Sequence, residues 1–207
     1  MSRLSDAQWF QFRNADTEEV PAFGVMEITE TVTRGGKTCY VVQKPSTNFQ
    51  RLYLINGPAR VPPGEDYAGN GTFSLVYALC DDGATPAYGE SWGVKPNEWA
   101  LFQHRPGFFM LGNVQGTGAT QRALIRQEEV KQVWGQLASS ISSGGSSTLI
   151  IQTRDGAAWT SSGFSLLAVY DRLLPGGAGG SVGSGRNAVA DWWGDRWWVS
   201  SAQCPDT

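Results

Sequence analysis

The sequence predicts an all-β protein: a larger N-terminal β-barrel or sandwich, a short connecting helix, and a smaller C-terminal β-domain that ends in a Trp-rich hairpin. Short runs of β-branched and aromatic residues recur between turn sequences along most of the 207 residues. The chain is rich in glycine (26) and tryptophan (9), and only 17% of its residues are charged. This composition is typical of a turn-rich β protein that is long enough to bury a core.

The first segment, residues 1–19, is predicted to be an N-terminal arm. It carries the aromatic residues Trp9, Phe10 and Phe12 ahead of a polar stretch. An exposed apolar patch of this kind either tucks against its own domain or packs on a neighbouring subunit, and both remain open. If the arm anchors a partner, deleting residues 1–12 should abolish attachment and leave a folded protein.

Residues 20–126 are predicted to form the β-barrel or sandwich domain, with six to eight strands. Breakers such as Asn56-Gly57-Pro58 separate the strands. The predicted strands lie at residues 22–29, 38–43, 52–55, 71–80, 99–103, 108–114 and 123–125.

Residues 127–147 are predicted to be a helix followed by a Ser/Gly linker. Apolar residues three and four positions apart indicate one helical stripe over 128–141, although Gly135 weakens it by roughly 1 kcal/mol. The helix either packs on the first domain or forms a short coiled coil between subunits. The stripe consists of Val130, Val133, Trp134, Leu137 and Ile141.

Residues 148–207 are predicted to form the small C-terminal β-domain, with strands at 148–153 and 164–170. Its end is a tight hairpin turning at Gly194-Asp195. One face of the hairpin should be core, and the other a half-polar aromatic surface. The predicted register places Trp192 opposite Trp197, Trp193 opposite Arg196, and Asp191 opposite Trp198.

Charge and cysteine content exclude several classes of function. The net charge of −3 gives no basic field for nucleic acid. Cys39, Cys80 and Cys204 are odd in number and widely spaced, which indicates free thiols in a reducing compartment. No apolar run approaches the ~18 residues that span a bilayer, and the N-terminus lacks a signal-peptide core. We therefore expect no membrane partner and synthesis in the cytosol.

Catalytic patterns are weak, so we expect no enzyme, no cofactor and no metal. The single histidine, His104, lies at a strand-to-turn boundary, and no Gly-x-Ser-x-Gly elbow occurs. The sequence of residues 183–188 matches the G-x-G-x-x-A pattern of a dinucleotide-binding loop. That pattern must open a helix, whereas here it leads into a predicted hairpin. Four acidic pairs could supply glycosidase carboxylates, yet all lie in loops, turns or at the predicted helix start: Glu18-Glu19, Glu65-Asp66, Asp81-Asp82 and Glu128-Glu129.

Aromatic residues leave two binding hypotheses. Trp92, Trp99, Trp193 and Trp198 could stack on sugars in a carbohydrate-binding module, or they could pack at an interface, where Trp, Tyr and Arg are enriched. The candidate partner or oligomer interface residues are Trp9, Phe10, Phe12, Trp134, Trp193, Arg196 and Trp198.

Four motifs resemble a family of tailed-bacteriophage virion structural proteins and their relatives in bacterial genomes. Residues 14–25 are similar to its N-x-S-G-E-x-V/I-P-A-F/Y-A/G-V segment, with Asp16-Thr17 in place of Ser-Gly, so that this turn need not share the family's conformation. Residues 53–58 match Y/F-L-V/I/F-N-G-P. Residues 86–93 match P-A-Y-G-E-x-W-G, and residues 195–204 resemble a closing G-x-W-x-V-x-A-A-x-C.

The resemblance implies a non-enzymatic virion protein of the head or head–tail region. The first expectation is a capsid decoration protein, a homo-oligomer and more specifically a trimer, bound to the major capsid protein or other virion subunits. Its assembly would occur in the bacterial host cytoplasm. A tail, neck or fibre component is the alternative within the virion, and a carbohydrate-binding module the alternative outside it.

Overall fold

The computed structural model describes residues 8–49, 52–64, 69–73, 75–155, 158–170, 181–193 and 195–202. Seventeen β-strands and one 3-10 turn (Gly118–Thr120) lie within these ranges, which confirms the all-β class. The chain divides into two compact units, Met1–Ser46 with Gln50–Glu129, and Thr47–Phe49 with Val130–Thr207. Across the ranges described, no helix is long and apolar enough to cross a lipid bilayer.

The first unit contains a closed five-stranded barrel in the order β1-β3-β2-β4-β5. β1 closes it by pairing in parallel with β3 and antiparallel with β5. Alternating inward residues form the core, including Phe12, Met26, Val42 and Leu54. The strands are β1 (Phe10–Asn14), β2 (Val25–Arg34), β3 (Lys37–Gln43), β4 (Tyr53–Asn56) and β5 (Gly69–Thr72).

A second sheet completes this unit in the order β6-β10-β9-β7-β8. Trp92, Leu101, Phe108 and Met110 are fully buried in it, which explains the apolar runs around them. Within its described residues, the first unit thus has ten strands in two sheets rather than the predicted six to eight. These strands are β6 (Val76–Leu79), β7 (Ser91–Val94), β8 (Leu101–Gln103), β9 (Phe108–Gln115) and β10 (Arg122–Gln127).

The second unit is another closed five-stranded barrel, ordered β11-β13-β14-β17-β16, with a two-stranded β12-β15 sheet. Phe49 contributes to its interior with ring contacts to Phe164 (5.9 Å) and Trp197 (6.0 Å). The strands are β11 (Gln132–Leu137), β12 (Ile141–Ser142), β13 (Ser146–Asp155), β14 (Ala158–Tyr170), β15 (Ser181–Val182), β16 (Asn187–Trp193) and β17 (Arg196–Ala202).

The predicted helix over 128–141 is wrong, because this segment forms strands β11 and β12. Val133, Gly135 and Leu137 are buried and alternate with the exposed Trp134, which is a period of two. Counting Trp134 into an apolar stripe created the apparent helical period. β11 obtains its backbone hydrogen bonds from β13 and β16, and the Ser/Gly stretch forms a turn between strands instead of a linker.

The arm prediction needs a similar correction. Phe12 is fully buried and Phe10 is half-buried against Tyr40 and Phe73, with ring centroids at 5.5 and 5.4 Å. Residues 10–14 are therefore a strand of the first barrel. Deletion of residues 1–12 would open that barrel, so it cannot leave the folded protein expected of a detachable arm.

The hairpin register is confirmed residue by residue: Trp192 pairs with Trp197, Trp193 with Arg196, and Asp191 with Trp198. The turn residue Gly194 lies outside the described residues. Cys39 and Cys80 are free thiols, as predicted, and both are buried, whereas Cys204 lies outside the described part of the chain.

Candidate interaction surface

The outer face of β16 and β17 carries an exposed aromatic and charged cluster. Trp193 is 78% exposed. The Trp198 indole donates a hydrogen bond to the Trp193 backbone carbonyl oxygen at 3.1 Å, which fixes the orientation of the Trp198 ring. Arg196 lies 5.7 Å from the Trp198 ring and makes two hydrogen bonds to the Asp195 carboxylate, at 2.8 and 2.6 Å. We call Trp193, Asp195, Arg196 and Trp198 the hairpin cluster.

The hairpin cluster is held in place from beneath by apolar packing. Trp197, Ala190 and Val199 on the opposite face are buried, and the Trp192 and Trp197 rings meet edge to face at 5.5 Å. The predicted division into a core face and a half-polar aromatic face is therefore confirmed. The hydrogen bonds from Arg196 also lower the pKa of the Asp195 carboxyl, which keeps this carboxylate ionised beside Arg196.

A second aromatic feature continues the same outer face onto β11. Trp134 lies opposite Val189 on β16, and residues 189, 191 and 193 share one side of that strand. Between them, Gln132 donates a hydrogen bond to Asp191 at 2.8 Å. Trp134 stacks on Trp159 of β14, with ring centroids 5.7 Å apart and planes inclined by 21°. Each of the two tryptophans is half exposed.

Sequence reasoning named Trp134 but missed Trp159. Trp159 is 25 residues away from Trp134 along the chain, and only the pairing of β13 with both β11 and β14 brings the two strands together. Alternation on β14 is the one signal that could have placed Trp159 on the outer face. That alternation could not have shown that Trp159 stacks on Trp134.

In the first unit, Trp9 is about half exposed and lines a cavity of about 630 Å³ with Pro58, Arg60 and Pro62. Its ring lies close to Gly57, where a Cβ would meet Trp9 Cζ3 at 3.3 Å. Of the three predicted arm residues, Trp9 is exposed, Phe10 is half-buried and Phe12 is fully buried. Arg60 at this cavity is ion-paired with Glu19 at 2.9 Å.

The motif residues form internal hydrogen-bond networks. The buried Asn14 amide donates to the carbonyls of Glu18 (2.7 Å) and Val61 (3.1 Å). The Asn56 amide donates to those of Pro21 (2.8 Å) and Ala59 (2.7 Å). These side chains bind loop carbonyl oxygens, of which those of Val61 and Pro21 also accept backbone N–H groups, so the motifs specify loop conformation.

Two carboxylates in the motifs have the same structural role. Burial opposes ionisation of Asp16, but hydrogen bonds from the backbone N–H groups of Lys44, Glu18 and Thr17 outweigh it and lower its pKa. Burial also opposes ionisation of Glu90, and hydrogen bonds led by the Trp92 indole at 2.8 Å lower its pKa. Thr17 is not in the left-handed region, so this turn needs no glycine where the family has one.

The candidates for catalysis are spread over the surface of the described chain. His104 is exposed at a turn with φ of 62°. Glu18, Glu19 and Glu128 form ion pairs with Lys44, Arg60 and Arg126, while Glu65-Asp66 lie outside the described residues. Gly183 and its neighbours lead into β16, as predicted. No group of three metal-ligating side chains occurs within the described ranges.

Two of the four tryptophans considered for a sugar site do not belong to one. Trp92 is fully buried and Trp99 is 8% exposed, so both rings fill the core of the first unit. Trp193 is open to solvent and Trp198 is half-buried. Among the described residues of the second unit, the exposed aromatic surface is therefore the hairpin cluster together with the Trp134–Trp159 pair.

Comparison of the chain with protein-family models, curated proteins and solved structures returned no match.

Proposed function

We propose that the chain is a non-enzymatic structural protein of a bacteriophage virion, namely a capsid decoration protein that binds the major capsid protein. The observation that carries the proposal is the hairpin cluster, in which Trp193 and Arg196 stand exposed on a rigid strand face. Trp and Arg are the residues that most often dominate interface energies, and they do so best when held in place before binding. The four virion-protein motifs of the sequence support the same assignment.

Preorganisation of the cluster favours an assembly role. The Trp198 ring is held by its hydrogen bond to the Trp193 carbonyl oxygen, and the Arg196 guanidinium by two hydrogen bonds to the Asp195 carboxylate. A partner that covers these two side chains would therefore lose little entropy at them. The same surface would also serve a tail, neck or fibre component, which is the alternative position within the virion.

Attachment to capsids is tested with purified heads of the encoding virus that lack this chain. Wild-type protein should cosediment with the heads, and Trp193→Ala should weaken binding by at least about tenfold, a typical loss at an interface hot spot. Tyr88→Ala is the matched control, because Tyr88 is 75% exposed but lies in the first unit. Failure of the wild-type chain to bind heads, with binding to isolated tails, would replace the decoration role with the tail role.

Self-assembly is a separate part of the proposal, in which the chain forms a homotrimer. Light scattering after size exclusion should give three times the 22.4 kDa of one chain. Trp193→Ala should lower this mass if the hairpin cluster joins the subunits, whereas Tyr88→Ala should not. A wild-type monomer would show that any symmetry comes from the capsid lattice.

A further inference from the structure

Trp134 separates two adjoining cavities on the outer face of the second barrel. One, of about 350 Å³, is lined by Trp134, Asn187, Ala188, Val189, Ser201 and Ala202. The other, of about 50 Å³, is lined by Trp134, Gly135, Gln152, Trp159 and Asn187. Trp134 and Asn187 line both, so the cavities adjoin at these two residues, and we call them together the Trp134–Trp159 depression.

The chemistry of this depression is aromatic and neutral. Two stacked indoles stand beside two carboxamides, Gln152 and Asn187, and one hydroxyl, Ser201. None of the described residues that line it carries a charge. The nearest charge that the strand register places beside it is Arg154, directly opposite Trp159.

This composition selects among ligands. A phosphate-bearing ligand or a single strand of nucleic acid would need a basic lining. A peptide ammonium or guanidinium could lie on an indole face, but the lining offers no carboxylate to pair with its charge. A neutral pyranose satisfies all the groups present. Its C–H face packs on an indole, and its hydroxyls exchange hydrogen bonds with carboxamides, which both donate and accept.

We infer that the Trp134–Trp159 depression is a binding site for a neutral oligosaccharide. Trp134 supplies the stacking platform and Trp159 fixes the orientation of that platform. Gln152, Asn187 and Ser201 contact hydroxyl groups. The site is distinct from the hairpin cluster, and it does not depend on the virion assignment.

Rigidity of the platform supports this role. The Trp134 ring is stacked against Trp159 at a centroid distance of 5.7 Å. Its backbone is fixed by pairing of β11 with β16 at Val189. A side chain already held in its bound orientation pays little entropy on binding, which suits ligands that bind through few contacts.

The test is titration of the full chain with cellohexaose and with fully N-acetylated chitohexaose, both of which are neutral. Binding is monitored by tryptophan fluorescence and by saturation-transfer NMR. At least one of the two should bind in the millimolar range or tighter, with the largest transfer at ring C–H protons. Trp134→Ala and Trp159→Ala should each weaken binding by about tenfold or more. Trp9→Ala is the matched control, since Trp9 has similar exposure in the first unit.

Three outcomes would overturn the inference: neither oligosaccharide binds the wild-type chain, binding survives in Trp134→Ala, or a sulfated oligosaccharide binds more tightly in a salt-dependent way. Gln152→Ala guards against misfolding, because it keeps both rings and should still weaken binding. Trp193→Ala should retain saccharide binding while losing head attachment. A loss of saccharide binding at the Trp134–Trp159 depression is thereby distinguished from a loss of head attachment at the hairpin cluster.

Discussion

Phe12 shows how strongly one side chain of the N-terminal segment is tied to the first barrel. Its ring is fully buried and lies so close to β5 that a Cβ on Gly69 would come within 2.2 Å of it. Only glycine at position 69 leaves room for that ring. The pair therefore closes the barrel between β1 and β5.

Phe12→Ala should lower the free energy of unfolding by about 3–5 kcal/mol, because it removes a core aromatic ring and leaves a cavity. Urea unfolding at neutral pH measures the change. Tyr88→Ala, which truncates an exposed ring, should stay within about 0.5 kcal/mol of wild type. A small effect of Phe12→Ala would mean that β1 is a detachable arm after all.

Because of Cys80, we expect the free energy of unfolding to fall at alkaline pH. Burial raises the pKa of its thiol from 9.0 to about 12, with a smaller contribution from the Asp81 charge. In the unfolded chain this thiol ionises near pH 9, while in the folded chain it stays protonated. Its contribution to stability is thus complete below pH 9 and is lost as the pH rises from 9 towards 12.

Above pH 9, the free energy of unfolding of the wild-type protein should therefore fall relative to that of Cys80→Ala. Urea unfolding of both proteins at pH 8 and pH 10 gives this difference, in which the other titrating groups cancel. An unchanged difference would show that the thiol titrates normally and is not desolvated.

Strand β11 is the element whose identity depends most on its neighbours. At Gly135 a Cβ would meet the Ile150 carbonyl oxygen at 2.5 Å and Leu149 Cγ at 2.7 Å. The lack of a side chain therefore lets β11 and β13 approach. The residue that counted against the predicted helix is required by the strand.

The sign of the stability change caused by Gly135→Ala distinguishes a strand from a helix at this position. In a helix it would stabilise by about 1 kcal/mol, whereas in the strand it should destabilise by about 1–3 kcal/mol through overpacking. Thermal unfolding decides between them. Gly183→Ala is the control, since its Cβ would find no atom closer than 3.8 Å.

The segment Thr47–Phe49 belongs to the second unit although it lies between β3 and β4 in sequence. Phe49 N–H donates to the Ser165 carbonyl at 3.1 Å, and Ser165 N–H donates to that of Thr47 at 2.9 Å. The Phe49 ring then contacts Phe164 and Trp197. A three-residue segment thus acts as an additional strand-like element of the second barrel.

Phe49→Ala should cost about 2 kcal/mol, since aromatic pairs contribute roughly 0.5–1.5 kcal/mol each beyond area burial. Its urea transition should move to lower concentration when followed by tryptophan fluorescence. Leu52→Ala is the nearby control, because Leu52 is 56% exposed. Equal effects of the two changes would show that Phe49 contributes no specific packing.

For the whole molecule, charge determines which partners are available. The chain carries 16 basic and 19 acidic residues, a net charge of −3. Several basic side chains are engaged with carboxylates, as at Lys44, Arg60 and Arg196. We therefore expect no positive field of the strength that draws a polyanion.

Single- and double-stranded DNA should accordingly show no measurable binding at neutral pH and moderate salt. Fluorescence anisotropy with labelled oligonucleotides measures this directly. Binding that weakened steeply with added salt would contradict the prediction and would point to an undetected basic patch.

The sequence by itself determined the all-β class, most strand positions in the first unit, and the hairpin register. These follow from local rules: alternation with a period of two, turn residues between runs, and the fixed opposition of residues across a tight turn. Asp191 to Trp198 could be paired correctly because the two strands are separated by two residues.

Only the tertiary structure decided features that depend on contacts between distant segments. Trp134 and Leu137 fit a helical stripe until pairing with β13 and β16 supplied the hydrogen bonds of a strand. Phe12 became core only when β1 joined β3 and β5, and Trp159 reached Trp134 only through barrel closure. Such pairings bring together residues far apart in sequence, and no local pattern encodes which edges will meet.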